Sequence, residues 1–261
     1  MQLKIITLNL RYDKPDSGNN AWNVRKKAVI DLILKYNPDI IGTQEGKPNQ
    51  LLDLHRGLPE YQSLGCDRHN NGTGEHCAIF YKRRNFQCLE MGDFALSETP
   101  DIIGSITPSW ENNHPRIVTY ALLQMGLQKI WIFNTHLDFY SAKARELGAK
   151  LIINYLQKLD LSDSYLFCTG DFNTSAESLP RQTMLSELGN GRKLVDAIAT
   201  LPLEKQMTYH EFTGSAFAAV DTIYYDNRVT LNQVFVSDHT LNGIYVSDHF
   251  PVFGEFTVYS N

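Results

Sequence analysis

Short apolar runs rich in β-branched residues recur along this chain, and nine polar side chains of the kinds used in catalysis stand at, or just past, their ends. These are Asn9, Glu45, His136, Asp138, Asp171, Asn173, Asp221, Asp248 and His249. Residues 3–9 (Leu-Lys-Ile-Ile-Thr-Leu-Asn) read as a buried strand that ends in Asn9. In 23–36, Val24, Ala28, Ile30, Leu32, Ile33 and Leu34 fall mainly on one side of a helix, with Arg25, Lys26 and Lys27 opposite; Asn37-Pro38-Asp39 stops it. A strand over 40–45 and a helix over 48–57 follow, then strands near 61–65, 77–81 and 86–91. Residues 97–115, rich in Ser, Thr, Pro, Asn and Asp and without periodicity, form the longest loop. Beyond it, 117–124 and 129–135 read as a hairpin, 141–159 as a helix and 165–169 as a strand. Residues 212–220 prepare another strand over 222–225, and 250–258 close the chain. Strand–helix–strand–helix followed by several strands, loosely repeated in the second half, predicts an α/β fold: a four-layer sandwich of two face-to-face mixed β-sheets flanked by helices.

With 43% hydrophobic against 20% charged residues, the chain has enough apolar material for a sizeable core, and no linker or composition shift divides it. A single catalytic domain over 1–261 is expected. A net charge of -5 weighs against a dedicated nucleic-acid binder, which carries a basic face, and favours a small phosphorylated substrate. A nuclease stays open, because a metal ion offsets substrate charge locally. Cys66, Cys77, Cys88 and Cys168 form no CxxC and no His-Cys metal spacing, so they read as reduced and structural. The chain enters a strand at once, and no apolar stretch approaches about 18 residues. No membrane span and a cytoplasmic location are therefore expected, and no protein partner is indicated.

Two motifs concentrate the chemistry: Gly170-Asp171-Phe172-Asn173 and Ser247-Asp248-His249-Phe250-Pro251. A carboxylate, an amide, and a second carboxylate beside an imidazole are the parts needed to hold a divalent ion, aim a water and grip a phosphate. Any one polar residue at a strand end is ordinarily a turn former or cap; nine in the same situation point to a metal-dependent hydrolase. Val236-Ser237-Asp238-His239 repeats Val246-Ser247-Asp248-His249, but only the later copy precedes Phe-Pro-Val and an alternating strand, so Asp238 and His239 read as loop residues.

Leu8-Asn9, Thr43-Gln44-Glu45, Asn134-Thr135-His136-Leu137-Asp138, Gly170-Asp171-Phe172-Asn173, Val220-Asp221-Thr222-Ile223 and Ser247-Asp248-His249-Phe250-Pro251 resemble, in order, the motifs of the endonuclease/exonuclease/phosphatase superfamily, with its deoxyribonuclease I-like fold. The resemblance covers essentially the whole chain. It implies phosphoester hydrolysis with Mg2+ or Mn2+, by a phosphodiesterase, phosphatase or nuclease. Glu45 would be a hard oxygen ligand for the ion, with Asn9 beside it and Asp248 as a second ligand or outer acceptor. Asp171 would orient or deprotonate the attacking water, and Asn173 would donate to the phosphoryl oxygen. His249, held by Asp221, would donate to a phosphate oxygen. His136 resembles a transition-state donor or general acid, with Asp138 positioning it or contacting substrate. Glu75 resembles a carboxylate that pairs with that histidine, and Arg116 a phosphate-gripping arginine, with a surface salt bridge the alternative for each. Substrate is not settled by family, but long basic insertions, a membrane-docking hairpin and leucine-rich repeats are missing from the sequence, as in a minimal catalytic domain. A binding protein that has lost catalysis is the reading from another class. Tyr12, Trp22, Trp110 and Tyr140 read as loop aromatics able to line a pocket, with core packing or simple exposure the commoner reading for any one of them, and His69 and His76 as solvated.

Overall fold

The computed structural model describes residues 1–259. In chain order its elements are β1 (Gln2–Asn9), α1 (Trp22–Tyr36), β2 (Ile40–Gln44), α2 (Pro48–Gly57), β3 (Tyr61–Leu64), β4 (Ile79–Lys82), β5 (Gln87–Ala95), β6 (Ile117–Met125), β7 (Gln128–His136), α3 (Ala142–Leu156), β8 (Ser164–Asp171), α4 (Leu179–Thr183), β9 (Glu187–Gly189), β10 (Arg192–Asp196), β11 (Asp221–Asp226), β12 (Thr230–Val236), β13 (Thr240–Leu241), β14 (Ile244–Tyr245) and β15 (Val252–Thr257). Two mixed sheets carry the fold, ordered β12-β15-β1-β2-β4-β3 and β5-β6-β7-β8-β11-β10-β9.

The central strands are apolar on both faces because both faces are covered. In β1, Leu3 and Ile5 point to the core between the sheets, while Ile6 and Leu8 pack outward beneath Val29, Leu32 and Ile33 of α1. In β7 and β8, Ile130, Ile132 and Phe167 face inward, and Trp131, Phe133 and Leu166 face Ile152, Ile153 and Leu156 of α3. Helix, sheet, sheet, helix is the four-layer α/β sandwich expected. Among the described residues no helix is long and apolar enough to cross a membrane, and all four cysteines are free.

Near one edge the inter-sheet core turns polar. Asn134 Nδ2 donates to the carbonyls of Thr43 (2.8 Å) and Ala78 (3.0 Å), while its Oδ1 accepts from Gln44 Nε2 (2.7 Å) and Thr169 Oγ1 (3.0 Å). The bonds to Thr43, Gln44 and Ala78 join one sheet to the other, while Thr169 is the neighbour of Asn134 within its own sheet, so the register of the strand ends above is fixed. The sheets approach so closely that a Cβ on Gly42 would meet the Thr169 and Asn134 side chains. Gly42→Ala is expected to lower unfolding free energy by about 1–3 kcal/mol, read by urea denaturation with an unchanged slope. A variant as stable as the parent would show that the sheets have room there.

The structure departs from the sequence expectations where tertiary context overrides local pattern. Arg25, placed on the polar side of α1, is buried, and its guanidinium donates to the carbonyls of Leu10, Arg11, Asn20 and Val246. Leu34, placed on the apolar side, is exposed. Trp22 starts α1 and is buried, its indole donating to Asp53; Trp110 is buried in a single 3-10 turn. Residues 212–220 do lead into the strand expected over 222–225, which is β11, with Ala218 making an isolated bridge to Tyr209. The strands β9, β10 and β12–β14 and the short helix α4 lack a clear period in sequence and follow from pairing at sheet margins. Asp238 and His239 do lie off the strand ends, with His239 Nε2 3.2 Å from Asp31 of α1.

Candidate active site

Register brings the polar strand ends together. Asn9 pairs with Gln44 across parallel β1 and β2, His136 with Asp171 across parallel β7 and β8, and Asp221 with Asp171 across antiparallel β8 and β11. Asp248 and His249 lie ahead of β15, separated from it by Phe250 and Pro251, and β15 runs antiparallel beside β1. They meet at one rim over a cavity of about 600 Å³. Eight of the eleven residues singled out in sequence line it: Glu45, Glu75, Arg116, His136, Asp171, Asn173, Asp248 and His249. Asn9, Asp138 and Asp221 are buried behind its wall.

Asn9 is the junction. Its Nδ2 donates to Glu45 Oε1 at 3.1 Å and to Asp171 Oδ2 at 3.0 Å, while its Oδ1 accepts from the Arg11 amide at 2.8 Å. The side chain thus turns its nitrogen toward the carboxylates and orients them; its oxygen is already engaged. Glu45 sits in the left-handed region at φ 62°, a costly conformation for a residue with a Cβ. That turn brings Glu45 Oε2 onto the Tyr12 amide at 2.9 Å. His76, expected to be solvated, is half-buried and its Nδ1 lies 3.0 Å from the Gly46 carbonyl, bracing the same turn.

Phe172 anchors the next corner: its ring is fully buried against Tyr224, and its amide donates to the Val220 carbonyl. Asp171 and Asn173 therefore project from a fixed backbone. The Asn173 amide donates to Asp171 Oδ1 at 2.9 Å, and its Nδ2 donates to the Leu137 carbonyl at 3.0 Å, leaving that nitrogen's second hydrogen for another acceptor.

His249 Nδ1 lies 2.8 Å from Asp221 Oδ2, and its Nε2 is 3.9 Å from Asp171 Oδ2. Burial opposes charging this imidazole, but Asp221, then Asp171 and Asp248, prevail and raise its pKa to about 10. It is an imidazolium at neutral pH. His136 goes the other way: burial, reinforced by Arg116, Arg68 and His249, drops it well below the usual 6.5, so it is neutral. Burial and the neighbouring Asp221 raise the Asp171 carboxyl to about 7, against the pull of His249, the Asn173 amide and Asn9.

Both raised groups hold their protons more tightly folded than unfolded. Their contribution to stability is complete below the unfolded values and is lost as pH climbs through the folded ones. In chelator-treated protein the melting temperature should fall from neutral pH toward about 10, and fall less in His249→Gln. A flat profile in the parent would contradict the His249–Asp221 pairing.

Glu75 does not pair with His136; its carboxylate lies 2.9 Å from Arg68 Nη2, and the carboxylate nearest His136 Nε2 is Asp171, at 3.5 Å. Asp138 lies behind Arg116 Nε at 3.6 Å and accepts from the amides of Tyr140 and Ser141 at the start of α3, so it braces the loop and does not face the cavity. The arginine is buried, not part of a surface pair. Sequence reasoning missed Arg11, 3.5 Å from Asp248, and Arg68, both lining the cavity. It also missed Tyr209, whose ring lies 4.8 Å from that of His249. No local pattern marks them; only the register of distant segments does.

A model of the endonuclease/exonuclease/phosphatase family matches residues 6–249. The chain belongs to that family. Its members are hydrolases acting on phosphoester bonds. A family protein of Bacteroides vulgatus superposes with a TM-score of 0.90 at 28% identity, over 99% of this chain and 100% of that one. A mannosyl-6-phosphatase of Bacteroides thetaiotaomicron does so with 0.85 at 26% identity, over 98% and 100%. The exoribonuclease subunit Ccr4 of Candida albicans is 21% identical over 243 residues, 79% of this chain. The chain spans 30–61% of the length of the curated relatives that it matches.

Proposed function

We propose that residues 1–261 form one catalytic unit, a divalent-metal-dependent phosphoester hydrolase acting on a small phosphorylated substrate with Mg2+ or Mn2+. The observation that carries this reading is the single Asn9 amide bonded to both Glu45 and Asp171, which ties an ion-binding carboxylate to the carboxylate beside an imidazolium. The oxygen donors Glu45 and Asp248, both facing the cavity, suit a hard cation. Asp171, Asp221 and His249 offer ligand atoms within 4.8 Å of one another, yet His249 Nδ1 is committed to Asp221 and the ring is charged, which disfavours an ion there. When bound, the ion would supply positive charge against the phosphoryl oxygens and lower the pKa of water.

The protein's own groups divide the remaining work. Asp171 takes a proton from the attacking water. Asn173 donates its second Nδ2 hydrogen to a phosphoryl oxygen, where an amide serves because it does not titrate. His249 Nε2 donates to another phosphate oxygen, with Asp221 fixing its tautomer. His136, being neutral, donates a hydrogen bond near the leaving oxygen without adding charge. Arg116 and Arg68 offset the phosphate's charge from the facing wall.

Purified protein stripped with a chelator should hydrolyse phosphomonoesters and simple diesters only after Mg2+ or Mn2+ is restored. Folded protein inert toward every phosphoester with both metals would contradict the reading. The exoribonuclease relative favours a nuclease as second reading; cleavage of nucleic acid with a steep salt dependence would select it. Tight ligand binding without product would select a catalytically inactive binding protein.

A further inference from the structure

Among the described residues four aromatic side chains are largely exposed: Phe139, Tyr140, Phe217 and Tyr259. Three of them, Phe139, Tyr140 and Phe217, line the one cavity that holds the polar rim. Single exposed apolar residues are ordinary on a protein surface; gathering most of a molecule's exposed rings at one mouth is not. We propose that Phe139, Tyr140 and Phe217 form a stacking collar for the organic part of the substrate. The phosphorylated compound would then be one with a flat ring face, and not a linear phosphate ester. This rests on the phosphoester reading of the same site.

The collar is held rigid. Arg145 Nη1 donates to the Asp138 and Phe139 carbonyls at 2.9 and 3.0 Å, and Asp138 Oδ1 accepts from the amides of Tyr140 and Ser141. Phe139 and Tyr140 meet edge to face, with centroids 5.0 Å apart and planes at 84°. On the other loop, the Phe217 amide donates to the Tyr209 carbonyl and the Tyr209 amide to the Ala218 carbonyl, both at 2.9 Å. Phe217 packs 5.1 Å from Tyr209, which in turn packs 4.8 Å from His249. Rings leave the charged floor in sequence: imidazolium, Tyr209, Phe217. Exposed rings on immobilised backbone are pre-organised, so stacking on them loses little conformational freedom. The floor supplies charge for the phosphate, and the mouth supplies flat apolar surface for what the phosphate is attached to.

Two ligand sources share this chemistry, a nucleobase and the C–H face of a pyranose. The test compares adenosine monophosphate, glucose 6-phosphate and glycerol 3-phosphate as probes of the Mg2+-loaded protein. Affinity is measured by titration calorimetry, and released phosphate is followed in the same samples. The parent should bind at least one ring compound about tenfold or more tighter than glycerol phosphate, and the better of the two names the source. Phe139→Leu/Phe217→Leu, which keeps apolar side chains but removes two flat faces, should abolish that preference; both positions are exposed, so the fold should survive. Equal affinities for all three probes in the parent, no binding of either ring compound, or a preference retained in the double variant would overturn the collar. Ring preference without phosphate release would sink the hydrolase reading and leave the collar standing. Turnover of all three at one kcat/KM would do the reverse.

Discussion

His249→Ala is expected to lower kcat/KM by about 10²–10³-fold, the loss typical of one pre-organised donor to a developing oxyanion. The imidazole sits 2.8 Å from Asp221 with its pKa raised to about 10, so the native side chain brings a full positive charge and a directed N–H into a buried site. Alanine removes both and leaves Asp221 and Asp171 facing each other without a cation. Removing one partner of such a buried pair costs about 3–5 kcal/mol of stability, so the variant should also melt earlier. His249→Gln separates the two effects, since it keeps a donor and loses the charge. Kinetics and melting curves on both variants check this; parental kcat/KM in both would remove His249 from the chemistry.

Asp171→Asn is expected to show the opposite coupling. Its rate should fall by about 10²–10⁴-fold, the range for a lost general base, while the melting temperature holds or rises. Burial and Asp221 push the Asp171 carboxyl up to about 7, which means that ionising it in place is unfavourable. A neutral isostere removes that penalty and keeps one acceptor oxygen for the Asn173 amide, while the bond from Asn9 Nδ2 to the other oxygen is given up, so the two effects offset. Catalytic groups are commonly held at a cost to stability. A variant that lost activity only because it unfolded would contradict the assignment, as would one with parental rates.

The parts of this site legible in sequence are those where a polar residue ends a buried strand. Asn9, Glu45, His136 and Asp171 stand out because buried apolar runs stop at them, and His249 because it stands just ahead of the closing strand; strand ends in a two-sheet sandwich share an edge. The central strands were equally legible, since two-sided burial leaves an unbroken apolar signal in β1, β7 and β8. What failed depended on partners far along the chain. Glu75 sits near the histidine it was expected to pair with, yet Arg68, seven residues earlier and half-buried beside it, takes its carboxylate. Arg25 lies on a helix face that looks solvated until the carbonyls of Leu10, Arg11 and Val246 close over it. Arg11 and Tyr209 enter the site from loops whose path no local periodicity specifies. The marginal strands β9, β10 and β12 carry mixed faces, so their pairing is set by neighbours already in place.

Coordinates of crystals soaked with Mn2+ and inorganic phosphate test the central claim most directly, that strand-end groups from both sheets act as one phosphate-processing centre. The account predicts an ion on the Glu45 carboxylate and a phosphate oxygen within hydrogen-bond reach of both His249 Nε2 and Asn173 Nδ2. Phosphate bound away from His249, or an ion seated between His249 and Asp221 with Glu45 unengaged, would contradict it.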